Sequence, residues 1–311
     1  MSDPAKRTRY VCTLTPAQIA TLRELLELQG WRFSDLPYAY WRAQREKTTV
    51  VAYESGKVTV QGKGTPDLVQ FVLEPRILGE ARFGYEHLLA EQEKPEMFRP
   101  HIGIDESGKG DFFGPLVIAA VYVDRSSART LLEGGVADSK TIRSAKRISS
   151  LNDLIRTETR GCFNIVSVGP SAYNRLYKTF GNVNRLLAWG HAKALENLLE
   201  KVSDCPRAIS DQFGSKRDVE RALQSRGRRI ELIQTPKAES DIAVAAASIL
   251  ARDEFLRRLS SLSDATGREL PKGAGRPVDR VAAELASHGG RDALEPLAKM
   301  HFKTASKALT P

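Results

Sequence analysis

Residues 101–123, HIGIDESGKGDFFGPLVIAAVYV, place two adjacent acids between two apolar segments, and this stretch constrains the fold more than any other. Apolar residues alternate at Ile102 and Ile104 before the acids and run continuously from Leu116 to Val123 after them. This pattern is typical of two neighbouring strands joined by a glycine-rich turn. Asp105 and Glu106 therefore stand at the end of a strand within a sheet core. Carboxylates so close to buried strands cost several kcal/mol unless positive charge compensates them. The sequence thus predicts a sheet with two acids at one edge, where a cation or a basic group compensates their charge.

The C-terminal region supplies further strands and helices. We predict strands at 101–106, 115–123, 162–168, 206–211 and 230–234, and helices at 141–158, 171–202, 216–227, 241–262 and 276–288. Two strands joined early by a turn, followed by strands that alternate with helices, indicate an α/β fold with a mixed sheet flanked by helices.

Residues 1–85 predict a separate, small α+β domain. Thr15 precedes a proline, and apolar residues recur near helical spacing until Gly30, so a helix is expected between them. The stretch that follows alternates in strand fashion with ESGK as a hairpin turn, and a second helix is expected from Thr65. Residues 86–100 are charged and contain two prolines, which is typical of a linker, and this leaves 101–311 as the C-terminal domain.

The charge balance favours a polyanionic partner. The formal net charge is +9 and the pI is about 9.5, which makes nucleic acid a better candidate partner than an acidic protein. The three cysteines are far apart and show neither zinc spacing nor a disulfide framework, as expected in a reducing cytoplasm. No window reaches the ~18 continuous apolar residues of a membrane span. We therefore expect a soluble, cytoplasmic protein without a membrane partner, and a monomer by default.

Further acids lie near other predicted strand ends. Asp211 ends a predicted strand, and Glu239 and Asp241 precede a helix rich in small residues. Taken singly, each could be a turn residue or a helix cap. Together with Asp105 and Glu106 they form an oxygen-rich set without histidine or cysteine, which Mg²⁺ or Mn²⁺ prefers. Since two such ions can clamp both oxygens of a phosphodiester displacement, the acids and the basic charge together predict chemistry on nucleic acid.

The turn Ser107–Gly110 follows the acids directly. Gly108 and Gly110 lack side chains, so a nucleic-acid backbone could approach their amides, and peptide groups can both donate to and accept from a ribose 2′-hydroxyl. Lys109 would add a phosphate contact. A short glycine-lysine turn is by itself a weak signal, because it is more often a simple hairpin.

These residues resemble the signature of type 2 ribonucleases H, and of ribonuclease HIII in particular, which carries Gly-Lys-Gly where ribonuclease HII usually has Gly-Arg-Gly. The stretches that agree are GVADSKTIR from 135, YNRLYKTFGNVNRLLAWGHAKALENLL from 173, ISDQFG from 209, KAESDIAVAAASILAR from 237, LPKGAG from 270 and MHFKT from 300. The resemblance runs from about residue 100 to the end. The N-terminal domain is similar, more loosely, to the domain of ribonuclease HIII that resembles the TATA-binding protein.

The resemblance implies a ribonuclease H-like fold and endonucleolytic cleavage of RNA within RNA–DNA hybrids. Cleavage would leave a 3′-hydroxyl and a 5′-phosphate and would depend on two Mg²⁺ or Mn²⁺ ions. Asp105, Glu106 and Asp211 carry over as the first three catalytic, metal-binding acids. Ribonuclease HIII has glutamate at the fourth position, which selects Glu239, with Asp241 as the competitor.

The resemblance also implies residues that bind the substrate. The ribose-reading element would consist of Ser107, Gly108, Lys109 and Gly110. Lys140 in ADSK would meet a phosphate or a carboxylate, or it is a surface charge at a helix start. The tyrosine with which ribonuclease HII cuts beside a single ribonucleotide is not expected, so runs of several ribonucleotides should be preferred.

The N-terminal domain would grip the hybrid with exposed lysines on a sheet face: Lys47, Lys57 and Lys63. The aromatic residues Tyr38, Tyr40 and Trp41 either share that face or belong to the domain core.

Two histidines and two rival functions stay open. His191 reads as a packing residue, and His301 as packing or as a proton-transfer group near the acids. The rivals are a binding module that has lost catalysis and an enzyme that cuts at single ribonucleotides. All four acid positions are filled, which favours catalysis. The sequence leaves open whether the biological substrate is a primer, an R-loop or misincorporated ribonucleotides.

Overall fold

The computed structural model describes residues 8–80, 86–137, 139, 142, 144–212 and 216–310. The chain divides between Lys94 and Pro95 into two compact units. That boundary lies inside the stretch whose composition predicts a linker. The stretch contains a helix before the boundary, and after it Met97 and Phe98 are buried.

Within the described residues, the N-terminal unit consists of a five-stranded antiparallel sheet and several helices. Its elements are β1 (Arg9–Thr13), α1 (Pro16–Leu28), β2 (Arg32–Ser34), β3 (Ala39–Arg45), β4 (Thr48–Tyr53), β5 (Lys57–Gly62), α2 (Thr65–Leu68) and α3 (Glu86–Glu93). The strand order is β1-β5-β4-β3-β2. Leu22 and Leu26 of α1 pack in one core with Val50 and Val60 of the sheet.

In this unit one sequence prediction is confirmed and two features differ from the prediction. The helix at Thr15 is confirmed, and Thr15 caps it in a capping box with Gln18. The predicted order of helix, strands and helix is incomplete, because β1 precedes the first helix and pairs with β5. The helix that begins at Thr65 continues as a π-helix, Val69–Leu78, which ordinary helical periodicity does not reveal.

The C-terminal unit is an α/β fold with a mixed sheet, as predicted. Its elements are β6 (His101–Ser107), β7 (Leu116–Val123), α4 (Arg125–Glu133), α5 (Ala145–Glu158), β8 (Phe163–Val168), α6 (Pro170–Phe180), α7 (Val183–Leu199), β9 (Arg207–Asp211), α8 (Lys216–Ala222), β10 (Glu231–Thr235), α9 (Ile242–Thr266), α10 (Arg276–Leu294) and α11 (Lys303–Leu309). The strand order is β10-β9-β6-β7-β8. β6 pairs parallel with β9 and antiparallel with β7, so it is the central strand.

Helices cover β6 on both faces. Ile102 and Ile104 pack in a core cluster with residues of α7. Gly103 points the other way, where a Cβ atom would lie 2.1 Å from the backbone of Ala243 in α9. Because side chains alternate along a strand, positions 103 and 105 face α9, whereas 102, 104 and 106 face α7.

The predicted helix 171–202 is wrong as a single element. It is two helices, α6 and α7, separated by Gly181 in the left-handed conformation (φ 66°). Asn182 then caps α7 by accepting a hydrogen bond from the Asn184 amide. The predicted strands of this unit, by contrast, all lie within one residue of the observed bounds.

Candidate active site

Asp105 lies at the end of β6 on the α9 face. Its Oδ1 accepts a hydrogen bond of 2.8 Å from the Glu106 amide, and Ser248 of α9 also hydrogen-bonds the carboxylate. Burial raises the pKa of Asp105 to about 6, and the negative charge of Glu106 adds to the rise. The hydrogen bonds act in the opposite direction without cancelling the effect. The site therefore holds a carboxylate that is costly to ionise in the protein alone.

Glu106 lies on the α7 face, opposite Asp105. Its side chain is 12% exposed; Oε2 accepts a hydrogen bond of 3.1 Å from His191 Nε2, and Lys109 Nζ lies 3.7 Å from Oε1. Burial acts to raise the pKa of Glu106, but the hydrogen bond from His191 and the nearby charges lower it overall. The structure thus gives the two adjacent acids opposite pKa shifts. One hydrogen-bond donor that compensates these acids is His191, which the sequence analysis treated as a packing residue.

Asp211 is brought to the same edge of the sheet as Asp105. Ile104 pairs with Ser210 in the parallel register of β6 and β9, so Asp105 and Asp211 occupy the next, adjacent positions. Neighbouring strands lie about 4.8 Å apart, and residues in register point to the same face. Asp211 therefore lies on the α9 face beside Asp105.

Glu239 and Asp241 differ in what surrounds them. Glu239 is half-buried in a short 3₁₀-helix, Ala238–Ser240, which contacts β9. Asp241 is the N-cap of α9: its Oδ1 accepts from the amides of Ala243 and Val244. Both of its oxygens also lie 3.0 Å from Nε2 of the fully buried His101. Asp241 thus has a complete structural role, which leaves Glu239 as the fourth candidate acid.

The oxygen ligands of the candidate acids fit a hard divalent ion, although their side chains do not converge on a single position. In the described part of the chain, no three His, Cys, Asp or Glu side chains are gathered tightly enough to enclose a metal ion. Asp105 and Asp211 nevertheless lie on one face at one edge of the sheet, and Glu239 lies in the 3₁₀-helix that contacts β9. All three offer only oxygen atoms, the ligands that Mg²⁺ and Mn²⁺ select. A cation would also relieve the ionisation cost at Asp105.

The two glycines of the turn after β6 do different work. Gly108 has φ of +89°, and a Cβ atom there would lie 2.2 Å from the Pro115 carbonyl oxygen, so only glycine fits. A Cβ atom at Gly110 would meet nothing within 4 Å. Gly108 is therefore required by the fold, whereas Gly110 presents backbone to open space.

A groove of about 360 Å³ lies beside the end of β6. Glu106, Ser107, Ser139, Arg252 and Lys272 are among the residues that line it. The Ser139 hydroxyl, in the ADSK motif, lies 2.6 Å from the Ser248 hydroxyl and is hydrogen-bonded to it. Arg252 donates a hydrogen bond to the carbonyl oxygen of Ser139. The groove thus combines hydroxyls with two cations beside a candidate catalytic acid. Lys140, the other candidate from this motif, lies outside the described residues.

The candidate residues of the N-terminal unit are only partly brought together. Lys47 and Lys63 lie at one end of the sheet, where the Lys63 amide donates to the Lys47 carbonyl oxygen at 3.3 Å. Lys57, at the start of β5, lies at the other end. All three are exposed, as are Tyr38 (82%) and Tyr40 (47%).

Trp41 and His301 are packing residues. Trp41 is 3% exposed and belongs to the N-terminal core, which excludes it from an open sheet face. His301 stacks on Tyr177 and Tyr173, with ring centroids 4.4 and 5.5 Å apart. Burial lowers the pKa of His301, so it is held as a neutral aromatic ring. Among the described helices, none is both long enough and apolar enough to cross a bilayer.

The class of protein follows from the fold together with a family match. The fold is a mixed sheet that carries acids at adjacent strand ends, with a glycine-lysine turn after Asp105 and Glu106. Residues 102–305 match the model of the family Ribonuclease HII, and residues 9–77 match a domain of unknown function, DUF3378. The chain is therefore an enzyme, a hydrolase of the type 2 ribonuclease H class.

Comparison with individual proteins narrows the class. Ribonuclease HIII of Chlamydia muridarum is 42% identical over 304 residues, which cover 97% of both chains. The Chlamydia pneumoniae ribonuclease HIII is 41% identical over 297 residues, covering 95% of this chain and 96% of that one. The chain belongs to the ribonuclease HIII family.

Solved structures agree. The crystal structure of Bst-RNase HIII in complex with Mn²⁺ is 31% identical, with a TM-score of 0.64 over 97% of this chain and 98% of that chain. Aquifex aeolicus RNase H3, at 23% identity and a TM-score of 0.53 over 94% of this chain and 100% of that one, shares the fold. The likeness of the N-terminal unit to the TATA-binding protein stays a prediction.

Proposed function

We propose that this protein cleaves the RNA strand of RNA–DNA hybrids internally, using two Mg²⁺ or Mn²⁺ ions, and leaves a 3′-hydroxyl and a 5′-phosphate. The observation that carries the proposal is the register of β6 and β9, which sets Asp105 beside Asp211 directly before the glycine-lysine turn. Membership of the ribonuclease HIII family supports it, as does the Mn²⁺ in the Bst-RNase HIII crystal.

Four acids would hold the ions: Asp105, Glu106, Asp211 and Glu239. When bound, divalent ions polarise a phosphodiester and lower the pKa of an attacking water. The chain's own contribution is to place Asp105, Glu106 and Asp211 at the ends of β6 and β9, with Glu239 in the 3₁₀-helix that contacts β9. His191 holds Glu106 in its ionised form, because its hydrogen bond helps to lower the pKa of that carboxyl. Ser248 and the Glu106 amide fix the orientation of Asp105.

The turn Ser107–Gly110 would read the ribose. Gly110 faces open space, so its peptide groups are available to a 2′-hydroxyl, which is both a donor and an acceptor. Lys109 would contact a phosphate, and we assign the same role to Lys140 on the sequence alone. Runs of several ribonucleotides would offer several 2′-hydroxyls to this element, and we propose a preference for such runs.

The N-terminal unit would hold the hybrid through its backbone phosphates. Lys47, Lys57 and Lys63 are exposed, and the net charge of +9 favours a polyanion. We propose that the enzyme acts as a cytoplasmic monomer.

The test is cleavage of an end-labelled RNA–DNA hybrid with Mg²⁺, with Mn²⁺ and with a chelator, together with DNA duplexes that contain one or four ribonucleotides. We expect metal-dependent internal cuts with 3′-hydroxyl ends, and faster cleavage of the four-ribonucleotide duplex. Binding without cleavage in either metal would identify a binding module instead. Equal cleavage at a single ribonucleotide would identify behaviour of the ribonuclease HII kind.

A further inference from the structure

Lys299 is a lysine without exposed surface in the C-terminal unit. Its Nζ donates to the carbonyl oxygen of Asp111 at 2.8 Å and to that of Gly114 at 2.7 Å, and it lies 5.7 Å from the centre of the Tyr173 ring. Burying an ammonium group is costly, and an apolar side chain would fill the same space at a lower cost. The two carbonyl contacts are therefore what this lysine contributes to the fold.

Both carbonyls belong to the loop 111–115, which connects the glycine-lysine turn to β7. The chain around Lys299 binds the same loop through its backbone. The Lys299 amide donates to the Phe112 carbonyl oxygen at 2.8 Å, and the Gly114 amide donates to that of Leu297 at 2.9 Å. Phe113 and Ala298 form an isolated antiparallel bridge between these bonds. The segment 297–299 is thus hydrogen-bonded along the loop.

A third segment completes the attachment. The Phe112 amide donates to the Gly273 carbonyl oxygen at 2.8 Å, and the Gly273 amide donates to Asp111 Oδ1 at 2.6 Å. On its other side, Asp111 donates its amide to the Gly108 carbonyl oxygen at 3.3 Å and closes the turn. Asp111 therefore links the glycine-lysine turn to two segments more than 150 residues away, at Gly273 and Lys299.

We propose that Lys299 is a positioning residue for substrate recognition: by fixing the carbonyls of Asp111 and Gly114, it holds the turn Ser107–Gly110 in the conformation that receives a ribonucleotide strand. This inference rests on the ribose-reading role proposed above. Burial lowers the pKa of Lys299 to about 7. A neutral amine still has two N–H donors, so both carbonyls keep a partner whichever form is present.

Binding measurements test the inference in the Asp105→Asn background, so that cleavage does not intervene. Kd is measured for an RNA–DNA hybrid and for a DNA duplex of the same sequence, with and without Lys299→Met, which keeps the length and removes the donor. We expect the preference for the hybrid, the ratio of the two Kd values, to fall about tenfold, as for a lost hydrogen-bonding arrangement. Partial unfolding would weaken the binding of both duplexes equally and leave the ratio of the two Kd values unchanged. Lys193→Met, at an exposed lysine of α7, is the matched control and should preserve the ratio.

Cleavage kinetics in the protein that keeps Asp105 separate an effect on substrate positioning from an effect on the chemical step. Lys299→Met should raise KM for the hybrid about tenfold while kcat changes less than about threefold, since the acids on β6 keep their places. An unchanged hybrid-to-DNA ratio in a folded Lys299→Met protein overturns the inference. If the parent protein itself shows no preference for hybrids, the proposed function fails instead, and the two failures are distinguishable.

Hydrogen exchange on the unmodified protein decides the matter if Lys299→Met does not fold. The amides of Phe112, Gly114 and Lys299 are hydrogen-bonded across the joined segments and should exchange at rates within about tenfold of one another, as one cooperative unit. Exchange of Phe112 and Gly114 more than about a hundredfold faster than that of Lys299 would show a loop that moves independently, and would refute the positioning role.

Discussion

Asp105 and Glu106 are adjacent in sequence yet have different surroundings, because a strand turns successive side chains to opposite faces. Burial raises the pKa of Asp105 to about 6. The pKa of Glu106 is lowered despite burial, since His191 donates a hydrogen bond to it. A metal-free protein thus has one carboxylate ready to bind a cation and a second whose ionisation opposes folding.

Asp105→Asn should stabilise the metal-free protein above pH 6 and abolish cleavage. An unfolded aspartate titrates near pH 3.9, and the folded pKa is higher, so the free energy of unfolding falls as pH rises from about 4 to 6 and stays low above that. Asparagine keeps the oxygen that accepts from the Glu106 amide but cannot ionise. We expect a gain of up to about 3 kcal/mol at pH 8 and little at pH 4, measured by urea unfolding in a chelator.

The same experiment with Mn²⁺ added provides the control. Binding to the folded state should stabilise the parent protein and leave Asp105→Asn almost unchanged. Equal stabilisation of both proteins, or appreciable cleavage by the variant, would remove Asp105 from the metal site.

His191→Leu should make metal binding more sensitive to pH. The variant removes the donor to Glu106 Oε2 without adding a charge, so the pKa of Glu106 should rise because burial is then less opposed. Protons then compete with the metal at a higher pH. We expect the Mn²⁺ affinity to fall more at pH 6 than at pH 8, by calorimetric titration.

His288→Leu, at an exposed histidine of α10, is the matched control and should leave both affinities unchanged. If His191→Leu weakens Mn²⁺ binding equally at the two pH values, His191 acts on the packing around Glu106 and not on its charge.

The acids could be placed from sequence because the pattern around them is local. A strand followed by a turn fixes where Asp105 and Glu106 stand, whatever the rest of the chain does. The partner of Glu106 could not be found in this way, since His191 lies 85 residues further on, and a histidine among apolar helix residues is usually packing. The division of work between Gly108 and Gly110 also depends on atoms that the local sequence does not place.

At the scale of elements, the start of α9 separates a structural acid from a candidate catalytic one. Asp241→Ala should lower the free energy of unfolding by about 1–3 kcal/mol, because the helix loses its cap and His101 loses its partner. Its kcat should change little where the protein is folded. Glu239→Gln should do the reverse and remove most of kcat without loss of stability. Urea unfolding and hybrid cleavage on both variants measure the crossover.

The paired design makes the outcome specific. If Asp241→Ala loses activity and Glu239→Gln does not, the fourth acid is Asp241 and the cap is secondary.

Elements were predictable where one physical signal dominated. The strands of the C-terminal unit are apolar and bounded by turn residues, and their predicted bounds are confirmed within one residue. The long predicted helix failed at Gly181–Asn182 because the apolar repeat continues on both sides of a left-handed residue. Helix α4, RSSARTLLE, was missed because its sequence is largely polar, and packing of Ala128 and Leu131 stabilises it. Strand β1 likewise depends on its pairing with β5, which lies more than 40 residues away.

At the scale of the whole molecule, each compact unit has a hydrophobic cluster of its own. The cluster in the C-terminal unit includes Ile102 and Ile104 of the strand that carries the acids. The composition change near residue 100 is the signal from which the sequence predicts two domains. It could not predict that Met97 and Phe98 are buried, since burial depends on a surface made by distant residues.

Removal of Met1–Lys94 should therefore weaken binding more than catalysis. The remaining unit keeps its core, the acids and the turn, so kcat should stay within about threefold, whereas KM for a hybrid should rise about tenfold because the lysines of the N-terminal unit are lost. Circular dichroism checks that the shortened protein is folded. An unchanged KM would deny the N-terminal unit any part in holding the substrate.

Salt dependence then shows whether exposed lysines cause the loss. Each phosphate contact contributes about 0.9 to the slope of log Kd against log salt, so Lys47→Gln with Lys63→Gln should reduce that slope by roughly 2 in the full-length protein. These two lysines lie together at one end of the N-terminal sheet. Lys178→Gln with Lys193→Gln removes the same charge from exposed positions of α6 and α7 and should change the slope by less than about 0.5. Equal slopes for the two pairs would mean that the overall positive charge attracts the hybrid and that this end of the sheet makes no phosphate contacts.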